Sequence, residues 1–321
     1  MKKYLKMNVE VYFVPIKIRA LKFASVYLLN TGRHSFLIDS GMSRDALTFL
    51  EEKGVDFKNI DAVLLTHMHI DHIGGSKSIQ DKYGLPVYIN ERDRKKVLSI
   101  ENDISGFMRD SKLFLMEMGV PNTITETMGD NHPLAAELKN YEKVELQSFE
   151  QFPKNMNEVK FYHVPGHSPG STCFIPQGSD IIFTGDHILE KITPNISYYD
   201  RYEDMLGEYL ESLNKTRKLN LKTAFPGHGA PFTGINERIE QIIIHHRSRI
   251  DEIISIIGSN RISAYDVALR MRWSRGRTME SMNTMEQNFA VGEAIAHLRY
   301  MENNNMVESI MTDGIRKYRN V

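Results

Sequence analysis

The alternation of apolar and polar positions divides the chain into three parts. The first part contains apolar runs rich in β-branched and aromatic residues, and short polar stretches separate them, which predicts strands. A helical pattern between Ser43 and Gly54 interrupts these runs, and a second one follows the buried strand AVLLT. This strand–helix rhythm favours an α/β domain. The strand-like segments are VEVYFVPI, FASVYLLN, HSFLID, AVLLT and LPVYIN.

Residues 91–150 break this rhythm, because their composition is that of helices, with a loop at His132 and Pro133. We interpret this segment as a mostly helical insertion, for which a lid is one role. It holds 8 Lys and Arg against 12 Asp and Glu, a balance of −4, which makes it a poor surface for a phosphate backbone. Its phenylalanines and methionines serve either as helix packing or as an adaptable apolar wall for a substrate.

Strand patterns return between residues 158 and 186, and helical patterns dominate after Gly234. The terminal segment alternates around Thr312-Asp313-Gly314, which predicts a β-hairpin. Three predicted helices and this hairpin resemble a winged-helix module. The sequence therefore predicts a larger domain over residues 1–234 and a small winged-helix-like domain over residues 235–321.

Composition narrows the class of protein. The chain has 321 residues, of which 41% are hydrophobic and 25% charged, as in globular proteins that bury a sizeable core. Its net charge of −1 at pH 7 gives no field suited to nucleic acid or to an anionic membrane. Charges interrupt the amino terminus before a signal-like apolar run forms, and no later apolar stretch is long enough to span a bilayer. Cys173 is the only cysteine, which excludes an internal disulfide and favours a cytoplasmic protein with no membrane partner.

Three histidines and an aspartate fall within six residues of the segment THMHIDHIGG. Imidazole and carboxylate are the usual ligands of zinc and related metals. The segment follows the apolar strand AVLLT, so these side chains belong to a strand-end loop that can bend several ligands toward one point. His67 and His69 can share a face, whereas Asp71 and His72 come as the chain turns. This spacing suits two metals better than one, and an ordinary polar loop is the alternative.

Three further strand ends carry candidate ligands. His167 lies in VPGHSPGS, Asp186 in FTGDHIL and His228 in FPGHGAPF. Each follows an apolar run and lies beside glycine, which lets the backbone approach closely. Four such clusters are difficult to attribute to chance and favour a metal site. By contrast, His245 and His246 lie on a predicted helix, where adjacent side chains point in different directions.

The motifs THMHIDHIGG, PGHSPGS, TGDHIL and PGHGAP together resemble the signature of the metallo-β-lactamase superfamily over roughly residues 9–234. The resemblance implies an αββα sandwich, with two mixed sheets back to back, helices outside and metals at one edge. It also implies a dinuclear site in which Asp186 bridges two metals. The implied ligands are His67, His69 and His167 for the first metal, and Asp71, His72 and His228 for the second.

The chemistry implied by this resemblance is hydrolysis. Two divalent ions, zinc with iron or manganese as alternatives, share a hydroxide whose pKa falls to about 7 and which attacks a carbonyl carbon or phosphorus. Asp71 and Asp186 are the expected catalytic carboxylates. Asp186 bridges the metals, and Asp71 orients the hydroxide and passes a proton to the leaving group.

Four other residues are secondary candidates. Asp39, in LIDSG, matches a family position from which a carboxylate orients a ligand histidine, and a turn aspartate is the alternative. His187 follows the bridging aspartate and either contacts substrate or has a structural role. Tyr198 and Tyr199, in ISYYDR, either contact substrate or pack against neighbouring residues.

The resemblance is specific for the fold and weakly specific for the substrate. The carboxy-terminal part resembles the winged-helix-bearing branch of the glyoxalase-II-like hydrolases, some of which are endoribonucleases. We expect hydrolysis of a small ester or thioester, and phosphodiester cleavage of RNA is the alternative. Residues 236–321 hold 12 Lys and Arg against 11 Asp and Glu, too small an excess to hold nucleic acid.

A third hypothesis is a nucleic-acid-binding or regulatory protein that keeps a vestigial hydrolase site. The intact set of ligands disfavours it. A winged helix can also mediate dimerisation, and we favour that role here, which makes a homodimer an expectation of the sequence.

Overall fold

The computed structural model describes residues 1–6, 9–18, 22–130 and 143–321. His132 and Pro133, with the loop predicted around them, lie outside these described residues. The chain forms two compact units, each discontinuous in sequence, whereas the predicted division at residue 234 follows the sequence alone and stays a prediction. The first unit comprises Met1–Ser99, Tyr141–Pro194 and Glu211–Glu240, and the second comprises Ile100–Asn140, Asn195–Leu210 and Gln241–Val321.

The larger sheet of the first unit is antiparallel in one half and parallel in the other. Strands β1 to β4 pair antiparallel with their neighbours, and strands β4 to β7 pair in parallel. The carboxyl ends of β4, β5 and β6 therefore meet at one edge. In order across the sheet, the strands are β1 (Lys2–Lys6), β2 (Val9–Ile18), β3 (Lys22–Asn30), β4 (Ser35–Ile38), β5 (Ala62–Leu64), β6 (Val87–Ile89) and β7 (Leu146–Ser148).

The smaller sheet of the first unit has the order β12-β11-β10-β9-β8. Strands β8, β9 and β10 alternate in direction, and β10 and β11 are parallel. Strands β8, β10 and β11 consequently run the same way, and their carboxyl ends meet at one edge. The strands are β8 (Val159–His163), β9 (Thr172–Pro176), β10 (Ile181–Gly185), β11 (Thr223–Pro226) and β12 (Phe232–Thr233).

Aromatic side chains fill the space between the two sheets. The ring of Tyr27 lies 5.3 Å from that of Phe183 and 5.5 Å from that of Phe225, between ring centroids. The Tyr27 hydroxyl donates to the Pro226 carbonyl oxygen at 2.7 Å, so this buried polar group is satisfied within the core. The two sheets thus pack face to face, and the predicted αββα sandwich is confirmed.

The first helix between the strands of the larger sheet begins and ends near residues that the sequence indicates, whereas Asp71 and His72, which were predicted to lie in a loop, lie on the short helix Ile70–Ile73. The first buries Ala46, Leu47 and Leu50, and it stops before Gly54, whose φ is 84°. The described helices here are α1 (Asp45–Glu52), α2 (Ile70–Ile73), α3 (Ser76–Tyr83) and α4 (Glu91–Asn102). Short 3₁₀ turns lie at Phe57–Asn59, Phe149–Gln151, Ser274–Gly276 and Met279–Ser281.

The insertion predicted over residues 91–150 is helical in its described part up to Asp130, whereas Leu146–Ser148 near its end form strand β7 of the larger sheet. Phe114, on its second helix, and Met118, just after that helix, lie in the core of the second unit, so these two apolar residues serve packing. None of the described helices combines the length and the apolarity needed to cross a membrane. The remaining described helices are α5 (Ile104–Glu117), α6 (Asn122–Asp130), α7 (Met205–Arg217), α8 (Ile235–Ile257), α9 (Ala264–Arg270) and α10 (Thr284–Asn303).

The predicted carboxy-terminal hairpin is confirmed. Strands β14 (Val307–Thr312) and β15 (Ile315–Asn320) are antiparallel, and β15 also pairs with the short strand β13 (Ile262–Ser263). The two turn residues, Asp313 and Gly314, have φ values of 51° and 76°. Positive φ at both central residues is the conformation that a two-residue hairpin turn prefers, and Asp-Gly is a favoured pair for it.

A pair of buried histidines joins two helices within the second unit. His246 and His297 are 1% and 0% exposed, and His246 Nδ1 lies 3.1 Å from His297 Nε2. His297 Nδ1 lies 2.8 Å from the carbonyl oxygen of Glu293, which can only accept, so this nitrogen carries the proton of the neutral ring. His246 Nδ1 then donates to His297 Nε2. Burial lowers the pKa of His297 to about 4, and burial together with His297 lowers the pKa of His246 well below its usual range.

Acidification should therefore destabilise the second unit. Unfolded histidines titrate near 6.5, so the stabilising contribution of the pair is complete above that pH and is lost as the pH falls toward 4. We expect the free energy of unfolding to fall by about 1.4 kcal/mol per pH unit for each histidine that titrates in this window. Urea unfolding followed by the fluorescence of Trp273, the only tryptophan and a member of this unit's core, measures the change.

The variant His297→Gln keeps an acceptor for His246 Nδ1 but cannot be protonated, so its stability should depend less steeply on pH. His163→Gln changes an exposed histidine of the first unit and should leave the slope unchanged. Equal slopes for His297→Gln and the parent chain would show that the buried pair does not govern acid stability.

Candidate metal centre

The seven predicted ligands follow the carboxyl ends of strands in both sheets. The histidine cluster comes directly after β5, His167 follows β8, Asp186 follows β10, and His228 follows β11. Because β8, β10 and β11 run in one direction, their three loops meet at the same edge of the smaller sheet. The topology therefore brings together side chains that lie up to 161 positions apart in the sequence, from His67 to His228.

The candidate ligands of the histidine cluster fall on two stretches of backbone with different conformations. His69 is extended, with φ −67° and ψ 147°, and the short helix α2 begins immediately after it. The two glycines at the end of this helix allow it to lie against the loop after β4. A Cβ on Gly74 would lie 2.1 Å from the Met42 carbonyl oxygen, and one on Gly75 would lie 2.2 Å from the Ser40 carbonyl oxygen. The Gly-Gly pair is thus required by close backbone approach.

The structure brings all seven predicted ligands into three overlapping groups. In each group, one donor atom from each residue lies within 4.8 Å of the others. Asp186 lies between the two predicted metal positions, since its Oδ1 is 3.6 Å from His72 Nε2 and its Oδ2 is 3.6 Å from His167 Nε2. The groups are His67, His69 and His167; Asp71, His72 and His228; and His67, His72 and Asp186.

Hydrogen bonds on the far side of two ligand rings direct their lone pairs into the site. His72 Nδ1 lies 2.7 Å from Asp39 Oδ2, and His228 Nδ1 lies 3.0 Å from the Phe23 carbonyl oxygen. In its neutral form each ring would carry its proton on Nδ1 and leave the lone pair of Nε2 for a cation. His72 Nε2, His228 Nε2 and Asp186 Oδ1 are buried and have no hydrogen-bond partner in the described part of the chain. Buried polar atoms of this kind fit metal ligation.

The two ligand groups differ in their protonation. Burial lowers the pKa of His69 to about 3 and that of His67 well below its usual range, so both rings are neutral. Burial also opposes protonation of His72, but the neighbouring carboxylates, Asp39 foremost, raise its pKa to about 9. Asp186 similarly outweighs burial and raises the pKa of His228 to about 11. A divalent cation bound at the second group would therefore displace protons from its histidines.

Asp39 has the orienting position that the family resemblance implies. It is 2% exposed and accepts hydrogen bonds from the Thr66 amide at 2.8 Å and from His72 Nδ1. Its φ of 59° is uncommon for an aspartate, and its own amide donates to the Leu64 carbonyl oxygen at 3.0 Å, which holds this conformation. Asp39 thus fixes the loop that starts the histidine cluster.

Asp93 is a buried carboxylate that the sequence did not indicate. It is 0% exposed and accepts hydrogen bonds from the Met68 amide, the Ser168 hydroxyl and the Gly170 amide. Burial raises the pKa of Asp93 to about 6, while the three donors favour the ionised form, so it is charged at pH 7. Its segment, ERDRKK, has the composition of a solvated helix start, and only its place after the parallel strand β6 could have marked it.

None of the other secondary candidates belongs to the three groups of possible ligands found among the described residues. His187 is 1% exposed, and its Nε2 lies 3.0 Å from the Thr216 hydroxyl oxygen; burial lowers its pKa to about 3. Tyr198 belongs to the second unit, where its ring packs 4.8 Å from that of Phe114, and burial raises the pKa of its hydroxyl. Tyr199 belongs to the same unit and is half-buried.

Comparison with known proteins agrees with this architecture. The chain is 26% identical over 251 residues to a lactamase-like protein of Emericella nidulans, covering 75% of this chain and 62% of that protein. It is 26% identical over 237 residues to an atrochrysone carboxyl ACP thioesterase of Aspergillus fumigatus, covering 73% of this chain and 59% of that protein. The chain thus spans less than two thirds of the length of either relative.

Two solved structures share the fold over nearly the whole chain. A metallo-beta-lactamase family protein from Thermus thermophilus has a TM-score of 0.77 at 23% identity, covering 97% of this chain and 98% of that one. A beta-lactamase domain protein from Burkholderia ambifaria has a TM-score of 0.79 at 19% identity, covering 99% and 94%. The family model of the metallo-beta-lactamase superfamily matches residues 20–228, which include every candidate ligand. The chain therefore belongs to the metallo-beta-lactamase superfamily.

Proposed function

We propose that the protein is a dinuclear metal-dependent hydrolase of small ester or thioester substrates. The observation that carries this proposal is the position of Asp186, whose two oxygens each lie 3.6 Å from a histidine of a different ligand group. A carboxylate between two such groups suits a pair of ions that share one substrate. We further propose that the chain belongs to the glyoxalase-II-like branch of the superfamily.

The donor set supports zinc, with iron or manganese as alternatives, because imidazole nitrogen and carboxylate oxygen suit all three. His67, His69 and His167 would hold one ion, and the second group would hold the other. When bound, two such ions supply a Lewis acid for the attacked carbonyl and lower the pKa of a water to about 7.

The two catalytic carboxylates have different surroundings and so different tasks. The Asp186 side chain is 8% exposed and lies within 3.2 Å of His228 Nε2, which suits a fixed position between the groups. The Asp71 side chain is 20% exposed, and its Oδ2 lies 3.2 Å from His228 Nε2. The more exposed carboxylate can exchange protons with a substrate, so Asp71 would orient the attacking water and pass a proton to the leaving group.

The thioester assignment draws support from the Aspergillus fumigatus relative, which is named as an ACP thioesterase. A thiolate is a good leaving group and needs less protonation than an alkoxide, which suits a site with one partly exposed carboxylate. We propose the same reaction class for this chain, with the acyl group and the thiol carrier left open.

We propose that the carboxy-terminal helices and hairpin form a winged-helix-like element with a packing or dimerisation role. Helix α10 is the long helix that precedes the hairpin, and the buried residues of this helix lie between Ala290 and Met301. Val291 and Ala294 on this helix are 0% exposed, as is Leu298 one turn further on. A helix that is buried in its own unit has little surface left for a nucleic-acid groove, which supports a small substrate over RNA.

Metal content and substrate preference test the proposed function directly. Protein purified without chelator should contain about two divalent ions per chain, and it should hydrolyse an acyl thioester but leave an RNA oligonucleotide intact. The variant Asp186→Ala should reduce thioester turnover to background and lower the metal content to one ion or fewer. Elemental analysis and a thiol-release assay on the same sample provide the measurements.

Two results would contradict this proposal. RNA cleavage that Asp186→Ala abolishes would replace the small substrate with a phosphodiester. A chain that binds less than one ion, and stays inactive after zinc, iron or manganese is restored, would refute the hydrolase assignment altogether.

A glycine in the last ligand loop gives a second test. A Cβ on Gly227 would lie 2.3 Å from Asp186 Oδ1 and 2.6 Å from His72 Cε1. Gly227→Ala should therefore displace two ligands and lower metal affinity and thioester turnover by about 10- to 100-fold. Gly84→Asn is the control, because Gly84 ends α3 at φ 65° with no atom within 4 Å of an added Cβ. Equal losses in the two variants would show a general effect of glycine replacement.

A further inference from the structure

Asp93 ties together two loops that the sequence separates. Its Oδ2 accepts from the Met68 amide at 2.9 Å and from the Ser168 hydroxyl at 2.7 Å. Its Oδ1 accepts from the Gly170 amide at 2.6 Å. One buried carboxylate thus receives three donors, of which one comes from the loop after β5 and two come from the loop after β8.

Both of these loops carry ligands of the first group. Met68 lies between His67 and His69 in the chain, and Ser168 directly follows His167. The His167 ring lies 4.9 Å from the His67 ring and 4.6 Å from the His69 ring, between centroids. None of the described hydrogen bonds of Asp93 reaches a ligand of the second group.

We infer that Asp93 is a positioning residue that sets the distance between the His67–His69 loop and the His167 loop, and so determines the affinity for the first metal ion. This inference rests on the proposed dinuclear site. Asp93 differs in this from Asp39, which bonds His72 of the second group at 2.7 Å and also reaches His67 of the first group through the Thr66 hydroxyl.

The geometry around Asp93 leaves little freedom for adjustment. A Cβ on Gly170 would lie 2.7 Å from both the Asp93 amide nitrogen and its carboxyl carbon. The Ser168 hydroxyl also lies 2.9 Å from the Ser171 hydroxyl, and the Ser168 amide donates to Ser171 Oγ at 3.0 Å. The loop after β8 is therefore closed tightly onto the carboxylate, and a shift of Asp93 would be transmitted to His167.

A carboxylate is required here because all three partners donate. An asparagine has one acceptor oxygen, and its amide nitrogen would face a second donor. Asp93→Asn therefore preserves the volume of the side chain but loses at least one hydrogen bond to a ligand loop. The remaining contact between two donors would push the two loops apart. This displacement should lower the affinity for the metal ion.

The test is a zinc titration of the metal-stripped full chain against a chromophoric chelator, which resolves two stepwise dissociation constants. Asp93→Asn should weaken one step by about 10- to 100-fold and leave the other within about threefold. Asp39→Asn should weaken both steps, because Asp39 bonds His72 directly and reaches His67 through Thr66. Asp81→Asn, which changes an exposed carboxylate on α3, should alter neither.

A double-mutant cycle assigns each step to a ligand group. His69→Ala removes the first group, so adding Asp93→Asn to it should cost no further zinc affinity, whereas adding Asp39→Asn should. Ser168→Ala, which keeps the carboxylate and removes one donor, should weaken the same step as Asp93→Asn but to a smaller extent. Ser168→Ala tests the inference in place of Asp93→Asn if circular dichroism shows that Asp93→Asn does not fold.

Three outcomes would overturn the inference. They are an equal loss in both steps, a lower unfolding temperature of the metal-free chain with unchanged dissociation constants, and a loss that persists in the His69→Ala background. The proposed function is tested separately by the parent chain, which should bind two ions. If the parent binds only one, the dinuclear function fails, and Asp93 is still judged by whether Asp93→Asn weakens that ion.

Discussion

The candidate centre depends on one topological constraint, the shared direction of the strands that precede its loops. Strands β4, β5 and β6 are parallel neighbours, so Asp39, the histidine cluster and Asp93 all follow carboxyl ends at one edge of the larger sheet. Strands β8, β10 and β11 provide the same alignment in the smaller sheet. The aromatic core between the sheets, with Tyr27 against Phe183, fixes the two sheets to each other. The strand directions therefore bring these loops to one place, where Asp93 joins two of them.

The concentration of charge at this edge has an energetic consequence. Buried carboxylates without a cation must draw protons onto nearby histidines, as Asp39 and Asp186 do with His72 and His228. For His67 and His69 in the first group, burial outweighs the effect of the nearby carboxylates, so their pKa values are lowered and both rings are neutral. The first group can therefore bind a cation without losing a proton, whereas the second group must release protons first. Protons and metal ions would therefore compete for the same lone pairs of the second group.

The candidate ligands could be identified from the sequence because they cluster after apolar strands, and three of them, His167, Asp186 and His228, lie beside glycine. Asp93 could not, since its partners are 25, 75 and 77 positions away and its own segment is indistinguishable from a solvated helix. The pair of His246 and His297 could not be predicted either, because the two residues are 51 positions apart and no local pattern on either helix indicates the contact. Most strands and the hairpin were accessible from local patterns, whereas the αββα sandwich was implied by the family resemblance of the four motifs. The placement of Tyr198 and of helices α5 and α6 in the second unit depends on tertiary packing that no local pattern shows.

The metal site of the proposed hydrolase is better supported than its substrate, and the reason is physical. Metal ligation tolerates few arrangements, since every donor atom must lie about 2 Å from its ion and neighbouring hydrogen bonds must orient it. Binding an acyl group requires only an apolar surface of suitable size. All seven ligands, together with Asp39 and Asp93, belong to the first unit, while the second unit contributes no ligand among the described residues. The metal centre therefore constrains the type of reaction more closely than it constrains the substrate.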